Sequence, residues 1–145
     1  MTLHVEADNV ASWVERLTTA AKRGERIDLA EDLAADSTAR DPASGKKWRS
    51  KRQIPAAALR KVLVDRDLDV DPHGIRINGA RIIGPIDLEN IKFEHALHLT
   101  ACHVEHHINL TGSTLQTLQL SGSHIKSLTL IGATVTGDLG SVSKC

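Results

Sequence analysis

From Ile75 to Asp138 the hydrophobic positions of this chain recur every ten or eleven residues. Positions one, three and eight of each unit are large and aliphatic in nearly every copy, and position six is usually small. A short fixed period of this kind predicts a solenoid, in which each unit packs on its neighbours. In order, the units are IRINGARIIGP, IDLENIKFEHA, LHLTACHVEHH, INLTGSTLQT, LQLSGSHIKS and LTLIGATVTGD.

Each unit is expected to contain two short strand faces. Side chains alternate along a strand, so positions one and three point the same way, and so do positions six and eight. A corner is expected between the two faces, and glycine often stands there. The corner glycines are Gly79, Gly112, Gly122 and Gly132, and position six holds Ala80, Cys102, Ser113, Ser123 and Ala133, with Ile91 as the exception.

The pattern before the repeat predicts two helices. Apolar residues recur at three- and four-residue steps over Asp8–Arg23, which predicts an amphipathic helix that Gly24 can end. A second helix is predicted over Pro55–Val64, where it would cover the open first turn of the solenoid. The stretch 25–52 between them is polar, with turn signals at Asp41-Pro42 and Ser44-Gly45.

The spacing of five between positions three and eight resembles that of pentapeptide-repeat proteins, which are right-handed β-helices with a four-sided cross-section. The chain departs from a strict member because position one carries aliphatic residues where that family keeps a small one. The resemblance implies a mainly β fold, a right-handed quadrilateral β-helix of about three turns. It divides the chain into a helical N-terminal region and cap, 1–70, and a degenerate pentapeptide-like β-helix, 71–145.

A narrower resemblance covers Trp48 to Leu88. Its elements are Trp48, Arg52, the segment IPAAALRKVL and the segment HGIRINGARIIGPIDL, which are similar to those of bacterial proteins with this ten-to-eleven-residue repeat. Those relatives are mostly uncharacterised, and some carry an oxidoreductase label. The chain has neither a GxGxxG motif nor a cysteine pair, so the resemblance implies the fold and not that activity.

Composition excludes several classes of function. The 18 Lys and Arg residues balance the 18 Asp and Glu residues, so no overall field attracts nucleic acid or an anionic membrane. The two cysteines, Cys102 and Cys145, are too few for a disulfide framework, and Cys145 is expected to be exposed. The sequence has no apolar leader and no apolar run of membrane-spanning length, which predicts a cytoplasmic protein without membrane association.

Histidines form one candidate site. In the four-sided fold that the resemblance implies, every second unit stacks. This places Arg81, His103 and His124 in one outward column, with neighbours about 4.8 Å apart. His103 and His124 could then share a metal ion, although a zinc site usually takes three or four ligands. The favoured interpretation is that both are solvated outward side chains, so we predict no metal and no cofactor.

A basic run forms the second candidate site. The run has five basic residues around one tryptophan. In a flexible nucleic-acid-binding loop, the basic side chains would contact phosphates and the tryptophan would stack on a base. Alternatively it is a solvated loop, or Trp48 and Arg52 pack the cap onto the solenoid. Its residues are Lys46, Lys47, Trp48, Arg49, Lys51 and Arg52.

The sequence does not predict catalysis. Ser123 and His124 are adjacent, as are Cys102 and His103, but alternation sends the members of each pair to opposite sides of the strand. Mimicry of DNA towards gyrase, known for some pentapeptide-repeat proteins, needs a long acidic rod, and the repeat region is short and nearly neutral.

We therefore predict a non-catalytic protein-interaction module that binds another protein through a solenoid face or through the N-terminal region. Ile83 and Ile131 are the apolar residues among the outward positions and are candidates for that surface. The repeat fails at Ser141, where an aliphatic residue is expected, so a homodimer through the open C-terminal end is a further expectation. A shortened form of a longer solenoid remains the alternative there, and nucleic-acid association or a gyrase-directed DNA mimic are the alternative functions.

Overall fold

The computed structural model describes the backbone of residues 2–34 and 37–144, and the side chains of residues 9–34 and 37–137. The helices are α1 (Thr2–Arg23) and α2 (Ala56–Val64), with short 3-10 helices at Thr38–Arg40, Pro42–Lys47 and Ser50–Arg52. The strands are β1 (Arg26–Asp28), β2 (Gln53–Pro55), β3 (Ile75–Asn78), β4 (Arg81–Ile83), β5 (Ile86–Asp87), β6 (Lys92–Thr100), β7 (His103–Asn109), β8 (Thr114–Thr129) and β9 (Thr134–Lys144).

Both predicted helices are confirmed. The first is longer than predicted, since α1 begins at Thr2, and it ends before Gly24, whose φ of +68° suits a residue without a Cβ. Pro55 caps α2, where its missing N–H leaves no helical hydrogen bond unmade. Trp13 and Leu17 of α1 and Leu59 of α2 are buried in the same core as the sheet residues.

The predicted stacking of every second unit is confirmed by the strand register. Ile75 lies opposite Leu97, and Leu97 lies opposite Leu118, so position one of a unit pairs with position one of the second unit along. All strand pairs in the described part of the chain run parallel. Equivalent side chains therefore form columns across the sheet.

The predicted right-handed quadrilateral β-helix is wrong. Seven parallel strands form one sheet in the order β1-β3-β6-β8-β7-β4-β2, curled into a half-barrel, with β5 paired to β7 and β9 paired to β8. With its helices the architecture is an α/β-type parallel sheet. The reason lies in β8, which continues through the expected corner at Gly122 and pairs first with β6 and then with β7. The two faces of the repeat are thereby joined in one sheet.

The inward positions of the repeat are predicted correctly. Positions one, three and eight of the first five units are all buried, and position six is buried in the same units. The small size of position six allows close packing, and Ser113 and Ser123 satisfy their buried hydroxyls by donating to the carbonyl oxygens of Leu110 and Leu99. The content of the structure is mainly β, as predicted.

Two strands that the sequence does not predict lie at the ends of the strand order. Ile27 of β1 lies opposite Ile77, and Ile54 of β2 lies opposite Ile82, so both strands add a matching aliphatic side chain to the repeat columns. They cover strand edges that the first repeat unit would otherwise expose. One sheet thus contains strands from both sides of residue 70, and the division of the chain at that residue stays a prediction.

The C-terminal part bears on the expected homodimer. The backbone of β9 pairs in parallel with β8, with Leu139 opposite Leu118. Cys145 and the side chain of Ser141 lie outside the described residues. Dimerisation through this end stays a prediction.

Candidate functional site

The basic run lies in an ordered segment and not in a flexible loop. It spans the 3-10 helices Pro42–Lys47 and Ser50–Arg52. Asp41 caps the first of these, since its Oδ1 accepts a hydrogen bond of 3.0 Å from the N–H of Ala43. The hydroxyl of Ser44 donates to the Asp41 carbonyl oxygen at 2.7 Å, which closes the turn.

Trp48 and Arg52 face inward and hold this segment on the sheet. Trp48 is only 5 % exposed, and the guanidinium carbon of Arg52 lies 3.5 Å from the centre of its ring. Arg52 donates from Nε to the carbonyl oxygen of Gly79 at 2.9 Å, and from Nη1 to that of Ala39 at 2.6 Å. A base cannot stack on a buried ring, so that role for Trp48 is wrong, and the alternative packing role is confirmed.

The other four cations of the run are exposed. None of them forms an ion pair with any residue whose side chain the structure describes. The inward pair therefore anchors a surface with four positive charges that form no ion pair in the described part of the chain. We call Lys46, Lys47, Arg49 and Lys51 the basic surface.

His103 lies beneath the same segment. Its Nδ1 is 2.7 Å from the carbonyl oxygen of Pro42, and because a carbonyl only accepts, Nδ1 carries the proton. The ring is 1 % exposed, so the prediction of a solvated outward side chain is wrong for His103. Alternation did direct the side chain away from the core, but the Pro42–Lys47 helix covers that face.

The histidine column does not form a metal site. The rings of His103 and His124 are stacked, with centroids 4.9 Å apart and planes 14° apart. Stacked rings present their faces to each other, so their nitrogens do not converge on one point. Within residues 9–34 and 37–137, no cluster of three or more His, Cys, Asp or Glu side chains is arranged to hold a metal.

The surroundings of His103, burial above all, favour its neutral form. Burial is the main cause that lowers its pKa, and the neighbouring His124 and Arg81 act in the same direction. The hydrogen bond to Pro42 and the carboxylate of Glu105 oppose this shift. A buried neutral imidazole protonated at Nδ1 keeps a lone pair on Nε2, and that atom has no partner among the described residues.

Arg81 and Glu105 form an ion pair next to the histidines. Oε1 of Glu105 accepts from Nη2 of Arg81 at 2.7 Å and from Nε at 3.0 Å, with both side chains half-buried. Burial alone would raise the pKa of Glu105, but the hydrogen bonds and charge of Arg81 hold it below its ordinary value. The pair is neutral as a whole.

A cleft of about 440 Å³ opens between the Pro42–Lys47 helix and strands β7 and β8. The register of β7 on β8 shifts between Val104 and His107, and this stretch of β7 contributes Glu105 and His106 to the cleft. Its polar lining consists of Lys46, His103, Glu105, His106, His124 and Lys126.

Ser123 and Cys102, which precede His124 and His103 in the chain, are buried in the core. The Ser123 hydroxyl donates to the Leu99 carbonyl oxygen at 2.7 Å and accepts from the Cys102 N–H at 3.0 Å. Cys102 is fully buried, and burial raises the pKa of its thiol to about 12. Both point away from the histidine that follows them, as predicted, so neither pair has the geometry of a nucleophile and its base.

The two apolar surface candidates are exposed at separate places. Ile83 ends β4 opposite Pro55 of β2 and is 36 % exposed, whereas Ile131 follows β8 in a turn and is 74 % exposed. Val64, at the end of α2, is also exposed. Their use as an interaction surface stays a prediction.

Part of this site lies beyond sequence reasoning. The repeat placed Arg81, His103 and His124 in one column, and the register confirms that column. The contact between Pro42 and His103 joins residues far apart in the chain, and no periodicity signals it. The one local signal near this contact was the Ser44-Gly45 pair, which predicts a turn but not the residue that it packs against.

Gly45→Ala is expected to dislodge the segment from the sheet. A Cβ at Gly45 would lie 2.1 Å from the Cβ of His103. Overpacking of this kind costs about 1–3 kcal/mol, which urea unfolding measures as a lower midpoint. Gly84→Ala, where the nearest atom is 3.8 Å away, controls for the same change at a roomier glycine, although its φ of +94° adds strain. A Gly45 variant as stable as the wild type would contradict the close contact.

Comparison of the chain with protein-family models, curated proteins and solved structures finds no match. The resemblance to pentapeptide-repeat proteins therefore stays a prediction. No helix in the described part of the chain is long and apolar enough to cross a membrane.

Proposed function

We propose that the protein is a non-catalytic module that binds an acidic segment of another protein through the basic surface. The observation that carries this proposal is the anchoring of the segment by Trp48 and Arg52. It leaves four neighbouring cations outward, and none of them is paired with a side chain that the structure describes.

Anchoring matters because a preorganised surface loses little conformational entropy on binding. The segment is connected to the sheet region at two points, Arg52 to Gly79 and Pro42 to His103. Arg52 over Trp48 is a contact within the segment that fixes its two inward side chains against each other. An acidic partner would therefore meet cations whose backbone is already in place. Because the chain as a whole is neutral, the attraction is confined to this surface.

Nucleic acid is the second candidate partner, since the same four cations could contact phosphates. Two observations make it the weaker one. The tryptophan that would have stacked a base is buried, and the overall charge supplies no long-range attraction. Mimicry of DNA towards gyrase has no observation in its favour here and stays a prediction.

The basic surface is expected to bind a fluorescently labelled glutamate-rich peptide. Replacing Lys47 and Lys51 together by glutamine should weaken that binding by roughly fivefold, because each exposed charge pair contributes a few tenths of a kcal/mol to about 1 kcal/mol. Fluorescence anisotropy at constant ionic strength measures the change. The control variant replaces Lys22 and Lys61, which are also exposed cations but lie on α1 and α2.

Two further measurements decide between the partners. A single-stranded DNA of the same charge, titrated under the same conditions, should bind more weakly than the peptide; tighter binding would favour the nucleic-acid alternative. Capture from a nuclease-treated lysate should retain a protein with the wild type and lose it with the Lys47/Lys51 variant. Equal affinity of the peptide for both double variants would argue against the basic surface.

A further inference from the structure

The cleft between the Pro42–Lys47 helix and strands β7 and β8 carries positive charge that no described side chain neutralises. Lys46 lies on the helix side and Lys126 on the β8 side, and neither forms an ion pair with another described residue. The carboxylate in the lining, Glu105, is held by Arg81 through two hydrogen bonds. The two ammonium groups therefore leave the cleft with a net positive charge.

A second feature points to the kind of ligand. The ring of His103 lines the cleft, yet the side chain is 1 % exposed and its Nε2 has no hydrogen-bond partner within the described residues. Because Nδ1 donates to Pro42, the neutral ring offers Nε2 as an acceptor. A buried acceptor without a donor is costly, so a ligand that brings a hydrogen to it is favoured.

We propose that this cleft binds an oxyanion that retains one O–H group. Hydrogen phosphate is the simplest anion of this class. Its charged oxygens would accept hydrogen bonds from Lys46 and Lys126. Its O–H would donate to Nε2 of His103 once the groups that cover this buried atom move aside. The source could be free phosphate or a phosphate ester with an adjacent alcohol, since both present this set of groups.

The donor requirement makes the site selective. Sulfate has a similar size and shape, but at neutral pH it has no hydrogen to donate. A site that needs a donor discriminates strongly against an analogue lacking it, because the buried acceptor is then left unpaired. Charge alone would bind the two anions about equally.

This inference does not depend on the proposed function. Lys126 and the histidines belong to the sheet and lie outside the basic surface, and only Lys46 contributes to both. The variants that test peptide binding, at Lys47 and Lys51, leave the cleft unchanged. Either proposal can fail without the other.

The test is an NMR titration of the ¹⁵N-labelled protein with sodium phosphate and, separately, with sodium sulfate, at about pH 7.5 and constant ionic strength. Phosphate is expected to give saturable shifts at cleft residues and to move the Nε2 resonance of His103, with sulfate at least roughly tenfold weaker. Lys126→Gln, at an exposed position, should weaken phosphate binding by roughly fivefold, while Lys61→Gln should not change it. Glycerol 3-phosphate added in a third titration separates a phosphate ester from free phosphate.

Three outcomes would overturn the inference. Equal binding of phosphate and sulfate would remove the role of His103, and an unchanged affinity in Lys126→Gln would remove the role of the cleft. The absence of any saturable shift with either phosphate compound would exclude the site altogether.

Discussion

Arg52→Leu is expected to lower the free energy of unfolding by about 3 kcal/mol. The substitution removes the donors to the carbonyl oxygens of Gly79 and Ala39 and takes the guanidinium off the face of Trp48. Hydrogen bonds from a charged donor contribute about 1.5–3 kcal/mol each, and the stacking adds up to about 1 kcal/mol. Burial of the guanidinium, which lowers the pKa of Arg52, offsets part of this gain.

Urea unfolding followed by circular dichroism measures the loss. Arg49→Leu is the matched control, since Arg49 is an exposed arginine of the same run and should change stability by less than about 0.5 kcal/mol. Arg52→Lys should recover only a minor part of the loss, because a lysine cannot make both hydrogen bonds and stack on the ring. An Arg52→Leu variant as stable as the Arg49 variant would show that the inward pair does not anchor the segment.

Acidification from about pH 7.5 to about pH 5.5 is expected to destabilise the fold through His103. Burial holds the pKa of His103 below the ordinary value of 6.5, so the unfolded chain binds a proton in this range that the folded chain does not. The stabilisation present above the unfolded pKa is then lost as the pH falls towards the folded pKa. The loss is at most about 1.4 kcal/mol for each pH unit below 6.5.

His98 contributes in the same direction, because burial and then the charge of Arg76 lower its pKa. The acidic groups act in a separate window: Asp28 and Glu105 have lowered pKa values, so their stabilisation is lost only around and below their ordinary range near pH 4. The change of the unfolding free energy with pH between about pH 7 and about pH 5.5 is therefore due to the histidines.

His103→Gln, whose amide can still donate to Pro42, should reduce the pH dependence of the unfolding free energy. His106→Gln is the control, as it removes an exposed histidine of the same strand and leaves the buried ring and its stacked neighbour in place. Unfolding midpoints in urea at several pH values measure the slopes. A slope unchanged in His103→Gln would contradict its burial in the neutral form.

The repeat carries most of what sequence can predict about this fold. A column of aliphatic residues must be buried wherever the backbone places it, so the inward positions follow from periodicity. The pairing of every second unit was an implication of the resemblance to four-sided repeat proteins, and the register confirms the pairing. The helices follow from a 3.6-residue period and from Pro55 and Gly24 at their ends. Both signals are local: apolar positions recur at a fixed spacing along the chain, so a single sequence is enough to show them.

Sheet closure was predicted wrongly because it depends on the path of the backbone at a single corner. A glycine permits a bend but does not require one, and at Gly122 the strand continues and joins two sets of strands in one sheet. β1 and β2 were missed because three residues each are too short for a periodic signal.

The sequence by itself determined the inward face, the two helices and the column that contains Arg81, His103 and His124. The tertiary structure alone decided which of those outward side chains meets solvent, because a segment distant in the chain covers His103 with Pro42 and Gly45. It also decided that Trp48 and Arg52 anchor the basic run while its other cations stay outward. Burial of a polar or charged side chain is a property of contacts between remote segments, and these leave no period in the sequence.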